Sequence, residues 1–335
     1  MRCPRLDELP EPPEGRSGWP WTEQTPPAAG PMPRISIVVP SLNRADMIEE
    51  TLRSILLQGY PDLQLIVIDG GSTDGTVELL EQYDPHLTGW VSEPDEGQSQ
   101  AINKGMRQAT GEVLAYINTD DLYTPGALVH VGELFADPDV HWVSGPGELF
   151  GPGVGKPYRW PRRAWTERWQ WLIGNCLTQS STFWRRTVIE QAGLFDEDMH
   201  RSMDYEYWLR IVANGFELTW TDKVLSRFRI HSGSITGEPA GEFPTEEDEM
   251  RERYLEILSE EERRKAQRAR RQWVARKYRW RGWRRALDGL AWNALGDFWR
   301  TVCIAPELLL SPKTLAVPVV ALARLVLPAG KKGEP

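Results

Sequence analysis

Cysteine is scarce in this chain: three in 335 residues, Cys3, Cys176 and Cys303, far apart and without a CxxC spacing. That excludes a disulfide framework and a cysteine zinc site, and it fits a reducing compartment. No uninterrupted apolar run reaches the roughly eighteen residues a membrane-spanning helix needs. The first 33 residues are rich in Pro, Gly and acids and hold no apolar h-region, so no cleavable signal peptide is expected. No GxGxxG follows the first strand-like run, which argues against a nicotinamide-dependent oxidoreductase. What is present is ordinary for a soluble globular protein, 40% hydrophobic and 26% charged. The length suits one large α/β domain with appendages.

The most informative local feature is the acidic pair Asp120–Asp121. It follows the short apolar run 113–117, which reads as a buried strand, and precedes a helix start at Thr124-Pro125. Carboxylates at the carboxyl end of a strand stand where open α/β sheets bind ligands. Two such acids offer hard oxygen ligands to Mg²⁺ or Mn²⁺, which pairs one or two carboxylates with substrate phosphates. Taken alone, Asp-Asp is also an ordinary turn or cap composition.

Upstream, PRISIVVPSLN (33–43) reads as a β-branched strand ended by Pro40, with Ser41 and Asn43 as helix caps. A helix should follow, since Ile48, Leu52, Ile55 and Leu56 share one face. A second strand over 64–68 ends in Asp69-Gly70-Gly71-Ser72, where the glycines allow a ligand close to the backbone. A third unit, 90–98, leads into a helix carrying Asn103 and Lys104, then into the strand before Asp120. This βαβ rhythm predicts a mostly parallel sheet whose strands end in polar residues on one edge.

The segments SIVVPSLNR, VIDGGSTDGT, SEPDEGQSQAINKG and YINTDD, in this order, resemble the nucleotide-sugar-binding half of a family 2 glycosyltransferase with the GT-A fold. The resemblance continues through 179–186, 203–210 and 227–231, and spans about Arg34 to Thr236. It implies an inverting transferase, assisted by Mn²⁺ or Mg²⁺, that moves a sugar from a nucleotide-diphosphate sugar to a glycan or lipid-linked acceptor in surface polysaccharide synthesis. Pro40, Ser41 and Asn43 match the loop holding base and ribose, and Asp69 the acid near the base. Many relatives carry a second acid where this chain has Gly70, which leaves that contact open. Asp95 and Gln98 fall beside the nucleotide; Asn103 and Lys104 open the helix behind it, though Lys104 equally suits a solvated surface position. Asp120 corresponds to the ribose or metal-shell acid and Asp121 to the direct metal ligand.

Asp204, ahead of a helical stretch, matches the catalytic base, with a helix cap as its alternative and Glu206 ranked second. Arg229 and His231, on an expected strand edge before a turn at Ser232-Gly233-Ser234, match a donor-site element, the histidine completing a metal shell. Gln179, Ser180 and Trp208 are expected to contact the acceptor. Trp165, Trp169 and Trp171 offer indole faces for sugar rings, or simply core filler. The expected division is a flexible Pro-rich leader over 1–33, a catalytic domain over 34–240 (donor half 34–123, acceptor half 124–240) and a helical extension over 241–335. The main alternatives are a nucleotidyltransferase, which would need a glycine-rich basic loop where Ser41-Leu42-Asn43-Arg44 stands, and a non-catalytic sugar-nucleotide-binding module tethered to a membrane.

The net charge of −9 hides an asymmetry. Acidic residues 246–262 give way to twelve Arg and Lys from Arg263 to Arg285 with no acid between, interleaved with Trp273, Tyr278, Trp280 and Trp283. This reads as a basic aromatic helix, suited either to anionic lipid headgroups or to packing on the catalytic domain. The segment 301–328 is apolar but interrupted by Pro306, Pro312 and Pro318, more natural for an interfacial hairpin than a spanning helix. The expected location is cytoplasmic, with peripheral binding at the inner face of the cell membrane and no nucleic-acid partner.

Overall fold

The computed structural model describes all residues except 153, 155, 162, 200, 232–244 and 327–335. The turn expected at Ser232-Gly233-Ser234, the boundary at 240 and the end of the apolar segment lie outside the described residues. Two compact units emerge, one of Met1–Thr166 with Asn175–Tyr254, the other of Glu167–Gly174 with Leu255–Pro335.

The first unit is built on β1 (Ile35–Ser41), α1 (Ile48–Leu56), β2 (Leu63–Asp69), α2 (Thr76–Tyr83), β3 (Gly89–Ser92), α3 (Gln98–Gln108) and β4 (Val113–Tyr116). Strand β1 pairs in parallel with both β2 and β4, and β2 with β3, so four carboxyl ends share one edge. β1, β2 and β4 are buried throughout, as continuous Val/Ile/Leu runs between two layers of helices must be. The apolar face foreseen for α1 holds: Ile48, Leu52, Ile55 and Leu56 have no exposed surface.

Two local expectations need correction. Pro40 does not end β1, which pairs on through Pro40 and Ser41 with Ile68 and Asp69. The Val38 carbonyl accepts from the Ile117 N–H, so Pro40, two residues on, turns its nitrogen to the same side, beyond the end of β4. No ladder donor is lost there. Ser41 and Asn43 do not cap α1, which begins at Ile48 behind Met47. Asn43 instead adopts φ +51° and ties to the next loop: its N–H donates to Ser72 Oγ (2.6 Å) and its Oδ1 accepts from Thr73 N–H (2.9 Å).

β5 (Leu122–Tyr123) and α4 (Ala127–Leu134) lead to β6 (Trp142–Ser144), β7 (Gly147–Phe150) and β8 (Tyr158–Trp160); β9 (Thr182–Arg185), α5 (Arg186–Ala192), α6 (Met203–Ala213), β10 (Leu218–Trp220) and β11 (Ser226–Arg229) follow. The main sheet runs β10-β6-β9-β4-β1-β2-β3, with β9 antiparallel to both neighbours. A second sheet, β5-β11-β7-β8, places β11 in its interior rather than at an edge. α7 (Thr245–Leu255), assigned to the extension in the sequence division, belongs up to Tyr254 with the first unit, and the Tyr254 hydroxyl donates to Glu206 Oε1 at 2.7 Å.

The leader is laid along the rest of the first unit. The buried Arg53 guanidinium of α1 donates to the carbonyls of Pro10, Pro20 and Trp21 at 2.9–3.2 Å and stacks on the Trp21 ring. Trp19 Nε1 donates to the Tyr123 carbonyl, and Cys3, Leu9 and Trp21 are buried. A cation in a core survives only with acceptors around it, and the leader's carbonyls supply them.

In the second unit, α8 (Glu260–Leu287) is capped by Ser259 and Glu262 in a reciprocal capping box, and α9 (Ala291–Ile304) and α10 (Pro312–Val326) form a helical hairpin through a 3-10 turn at Pro306–Leu310. The short turn Arg168–Leu172 joins this unit, where the Ile173 carbonyl accepts from Arg270 at 2.9 Å.

The tightest crossing in the donor half is α3 over β1. A Cβ at Gly105 would fall well inside contact distance of both Val38 methyls. Alanine gains about 1 kcal/mol of helix propensity, but overpacking costs about 1–3 kcal/mol. Gly105→Ala should therefore lower the urea midpoint, and Val38→Ala in the same chain should recover much of that loss. A neutral Gly105→Ala would show that the helix has room to move away.

Candidate active site

The parallel strands deliver Ser41, Asp69, Ser92 and the 118–121 turn to one sheet edge. Asp69 is fully buried, and its two oxygens accept from Gly71 N–H (3.1 Å), Ser72 N–H (2.8 Å), Ser72 Oγ (2.5 Å) and Ser92 Oγ (2.7 Å). Four donors make it the organiser of the 69–72 turn. Next to it, a Cβ at Gly70 would stand 2.8 Å from Asp95 Oδ2, so the Asp95 carboxylate occupies the space a side chain at Gly70 would need. Asp95 is held by Gly97 N–H on its other oxygen. Ser41 Oγ is buried without a partner at the same edge.

Gln98 donates to Asn118 Oδ1 (2.6 Å), tying the start of α3 to the acidic turn. Asn103 is buried, with both ends of its amide used: Nδ2 donates to the Phe195 carbonyl and Glu197, while Oδ1 accepts from Phe195 N–H. It locks α3 to the 195–197 loop. Lys104 pairs with Glu93 at 2.5 Å.

Asp121 is fully buried. Its Oδ1 accepts from Arg229 N–H (3.0 Å), and its Oδ2 has no hydrogen-bond partner. Burial, and after it the neighbouring Asp120 charge, pushes its carboxyl well above the ordinary range; the Arg229 N–H and the Ser180 hydroxyl oppose this. The turn is fixed from beneath by α1, where Thr51 Oγ1 donates to the carbonyls of Thr119 and Asp121 and Ser54 Oγ accepts from Tyr123 N–H. Asp120 is partly exposed, and its Oδ2 lies 3.0 Å from His231 Nε2. The Arg229 guanidinium reaches the Asp120 carbonyl and pairs with Glu50 at 2.8 Å, lying over the Phe150 ring. Thr51, Ser54 and Glu50 escaped the sequence reading because helix periodicity marks a buried face but not which of its polar atoms meets a distant turn.

Among the described residues no three His, Cys, Asp or Glu side chains are grouped so as to hold a metal unaided. The arrangement nevertheless suits a cation shared with a ligand: a buried carboxylate oxygen without a partner, a second acid beside it, and an imidazole on that acid. This is the donor set expected when phosphates complete the shell.

In the acceptor half, Asp204 lies in the first turn of α6, not at its cap, which is Ser202. Its Oδ2 accepts from Asn175 Nδ2 (3.0 Å) and its Oδ1 from Tyr205 N–H (2.7 Å). Burial raises its carboxyl to about 6, with Glu247 adding to the rise and the two hydrogen bonds opposing it. Glu206 is spent on Arg210 and Tyr254. Asp204 and Asp121 both act on the buried Tyr116, raising its hydroxyl further after burial has done so. The Tyr116 carbonyl accepts from Gln179 Nε2 (2.7 Å), whose Oε1 has no partner, and Ser180 shares a hydrogen bond with Ser226.

Trp208 has no exposed surface. It stacks on Trp142 (5.9 Å between centroids) and meets Trp184 and Tyr207 edge-on. An indole buried on all sides packs the core and has no face for an acceptor. Trp171 is likewise buried, and Trp169 and Trp171 lie in the second unit.

Residues 36–190 match the family described as glycosyl transferase family 2. The Bacillus subtilis glycosyltransferase TuaG, whose name places it in teichuronic acid biosynthesis, is 26% identical over 61% of this chain and 82% of its own length. The matches to named relatives span 34% to 82% of the relatives' lengths. In fold, the chain is similar to Staphylococcus aureus TarS 1-349, solved with UDP-GlcNAc (TM-score 0.57, 17% identity, 87% of each chain). It is also similar to the Pyrobaculum calidifontis mannosyltransferase PcManGT, solved with GDP-Man and Mn²⁺ (TM-score 0.52, 21% identity, 91% of this chain and 90% of that one). Residues 36–190 are thus a glycosyl transferase family 2 domain, carried on a mostly parallel sheet of GT-A type.

Proposed function

We propose that the chain is an inverting glycosyltransferase of surface polysaccharide synthesis, taking a sugar from a nucleoside-diphosphate donor bound by residues 34–123 to a glycan or lipid-linked hydroxyl received by 124–240. The observation that carries this reading is the pair of unlike acids beside Tyr116: Asp121 with an unpartnered buried oxygen, Asp204 with a carboxyl raised to about 6. Asp121, Asp120 and His231 would hold a divalent cation, whose charge would offset that developing on the departing diphosphate. Asp204 takes the proton of the acceptor hydroxyl as its oxygen bonds to the anomeric carbon and the bond to the diphosphate breaks. A base that titrates near 6 is deprotonated at neutral pH yet retains affinity for a proton. Pro40, Ser41 and Asn43 border the nucleoside, with Gln98 and Arg229 near its phosphates. Gln179 and Ser180 line the acceptor side. The biosynthetic setting of TuaG and the donors bound by TarS and PcManGT support the reaction class. The enzyme works at the cytoplasmic face of a membrane, peripherally bound.

The base is read by Asp95. Asp69 has its oxygens occupied by four donors, while Asp95 Oδ2 fills the space above Gly70. A carboxylate accepts from the imino N–H of uracil or guanine and is repelled by the ring acceptors that adenine and cytosine present there. UDP or GDP is therefore the leaving group.

Asp121→Asn should abolish transfer, by roughly 10²-fold or more, and weaken metal-dependent nucleotide binding. Wild-type turnover in Mn²⁺ would remove Asp121 from the metal. Asp204→Asn should eliminate turnover and leave donor affinity nearly intact, because a base acts in the transition state. In the wild type, kcat/KM should rise with pH through about 6, since the carboxyl must lose its proton to work. A limb at the ordinary carboxylate value, or a product that retains the donor's anomeric configuration, contradicts the mechanism.

By calorimetric titration, Asp95→Ala should lose about tenfold in UDP or GDP affinity, the scale of one charge-assisted hydrogen bond. Gly70→Asp alone should also bind poorly, because two carboxylates crowd one space, and the double variant Gly70→Asp/Asp95→Ala should recover affinity. Undiminished binding by Asp95→Ala would assign base recognition elsewhere.

A further inference from the structure

The second unit is packed inside out for a bundle surrounded by water. Where α8, α9 and α10 meet, the buried side chains are small: Gly282, Ala286, Ala291, Ala294, Val317 and Ala321. A Cβ on Gly282 would already stand 3.1 Å from Asp297 and 3.2 Å from Val317. Polar groups are turned inward too. Asp297 is buried and accepts from Arg281 (2.6 and 3.0 Å) and Arg285 (2.9 Å), and Thr301 and Thr314 have no exposed surface. Leu295, Phe298 and Val320 pack against these small residues, but other large apolar side chains point outward: Trp292 is 75% exposed, Trp299 66% and Leu310, in the turn between the hairpin helices, 87%.

These outward residues are ordered. Trp292 and Trp299 are two turns apart on one face of α9, and the exposed Leu315, Val319 and Leu322 recur at i, i+4 and i+7 on α10. Water-soluble helices bury such a stripe, whereas small residues between helices and large ones outside are the pattern of helices in lipid. The lengths decide how lipid is met. α9 has 14 residues and α10 has 15, about 21–22 Å each, against roughly 30 Å of hydrocarbon, and no described helix is long and apolar enough to cross a membrane. Indoles favour the headgroup level, where ring and N–H are both accommodated. The charge selects the lipid: the hairpin helices themselves carry exposed cations, Arg300 beside Trp299 on α9 and Lys313 at the start of α10.

We propose that the α9–α10 hairpin is an interfacial anchor, lying in the plane of an anionic bilayer with Trp292, Trp299 and Leu310 sunk to the headgroup–acyl boundary and the surrounding Arg and Lys on lipid phosphates. The proposal refines the peripheral-membrane part of the proposed function and does not depend on sugar transfer. A neutral lipid would satisfy the apolar stripes but leave the exposed cations without counter-charges.

Sedimentation of the full-length protein with phosphatidylcholine vesicles, with and without phosphatidylglycerol, tests it. The wild type should pellet with the anionic vesicles, partly releasing as salt is added and leaving a salt-resistant fraction. Trp292→Ser/Trp299→Ser/Leu310→Ser should lose that fraction, with partition lower by roughly tenfold or more. Arg300→Glu/Lys313→Glu should lose the preference for the anionic vesicles and bind both vesicle types alike. All the substituted side chains are exposed, so unchanged circular dichroism and nucleotide binding should confirm the fold. Wild type remaining in solution at low salt, or a triple variant that pellets like wild type, overturns the anchor. So does a wild-type oligomer, seen by light scattering without lipid, that the triple variant converts to monomer, because the stripes would then cover a second copy. Asp121→Asn provides the separation: it should pellet like wild type, so failure of the transferase reading leaves vesicle binding intact, and the converse.

Discussion

Burying the Asp121 carboxylate is the constraint around which the first unit is organised. A charge out of water is tolerated only with donors, a counter-ion or a proton. Here one oxygen has the Arg229 N–H and the other has nothing within the protein. Everything close by serves to keep that arrangement in place. Thr51 and Ser54 of α1 fix the turn beneath it, β11 brings in Arg229, and Glu50 pairs with the Arg229 guanidinium over Phe150. In the proposed reaction a cation would meet this unpartnered oxygen and offset the like charges of Asp120 and Asp121.

The same logic separates the two acids. Asp121 sits on the sheet edge with Asp120 as a like-charged neighbour; Asp204 sits at a helix start with an amide and an N–H to soften its burial. The proposed division of work, one acid for charge stabilisation and one for proton transfer, rests on these different environments. Tyr116, buried between their fields, and Gln179 on its carbonyl connect the donor and acceptor halves through β4.

The second unit is built differently. Where its helices meet, alanines, a glycine and an Asp297 paired with Arg281 and Arg285 lie inside, with Leu295, Phe298 and Val320 packed against them, while Trp292, Trp299 and Leu310 stand outside. The outward residues are not required to fill this interior.

The sequence by itself determined the βαβ order, the parallel strands and their shared polar edge, the apolar face of α1 and the basic helix α8, because these follow from periodicity and short-range turn chemistry. It also located Asp120, Asp121 and Asp204, since motif spacing carries strand ends and helix starts with it. Only the tertiary structure decided what long-range contacts decide. Pro40 is tolerated in β1 because β4 stops short of it. Trp208 packs the core because Trp142 and Trp184 come to meet it from other strands. The leader is held in place because Arg53, 43 residues from Pro10 along the chain, requires its carbonyls. Asp95 crowds Gly70 because β2 and β3 lie side by side. Each of these depends on which surfaces face one another after folding, and pairings between distant segments leave no local period for a sequence to display.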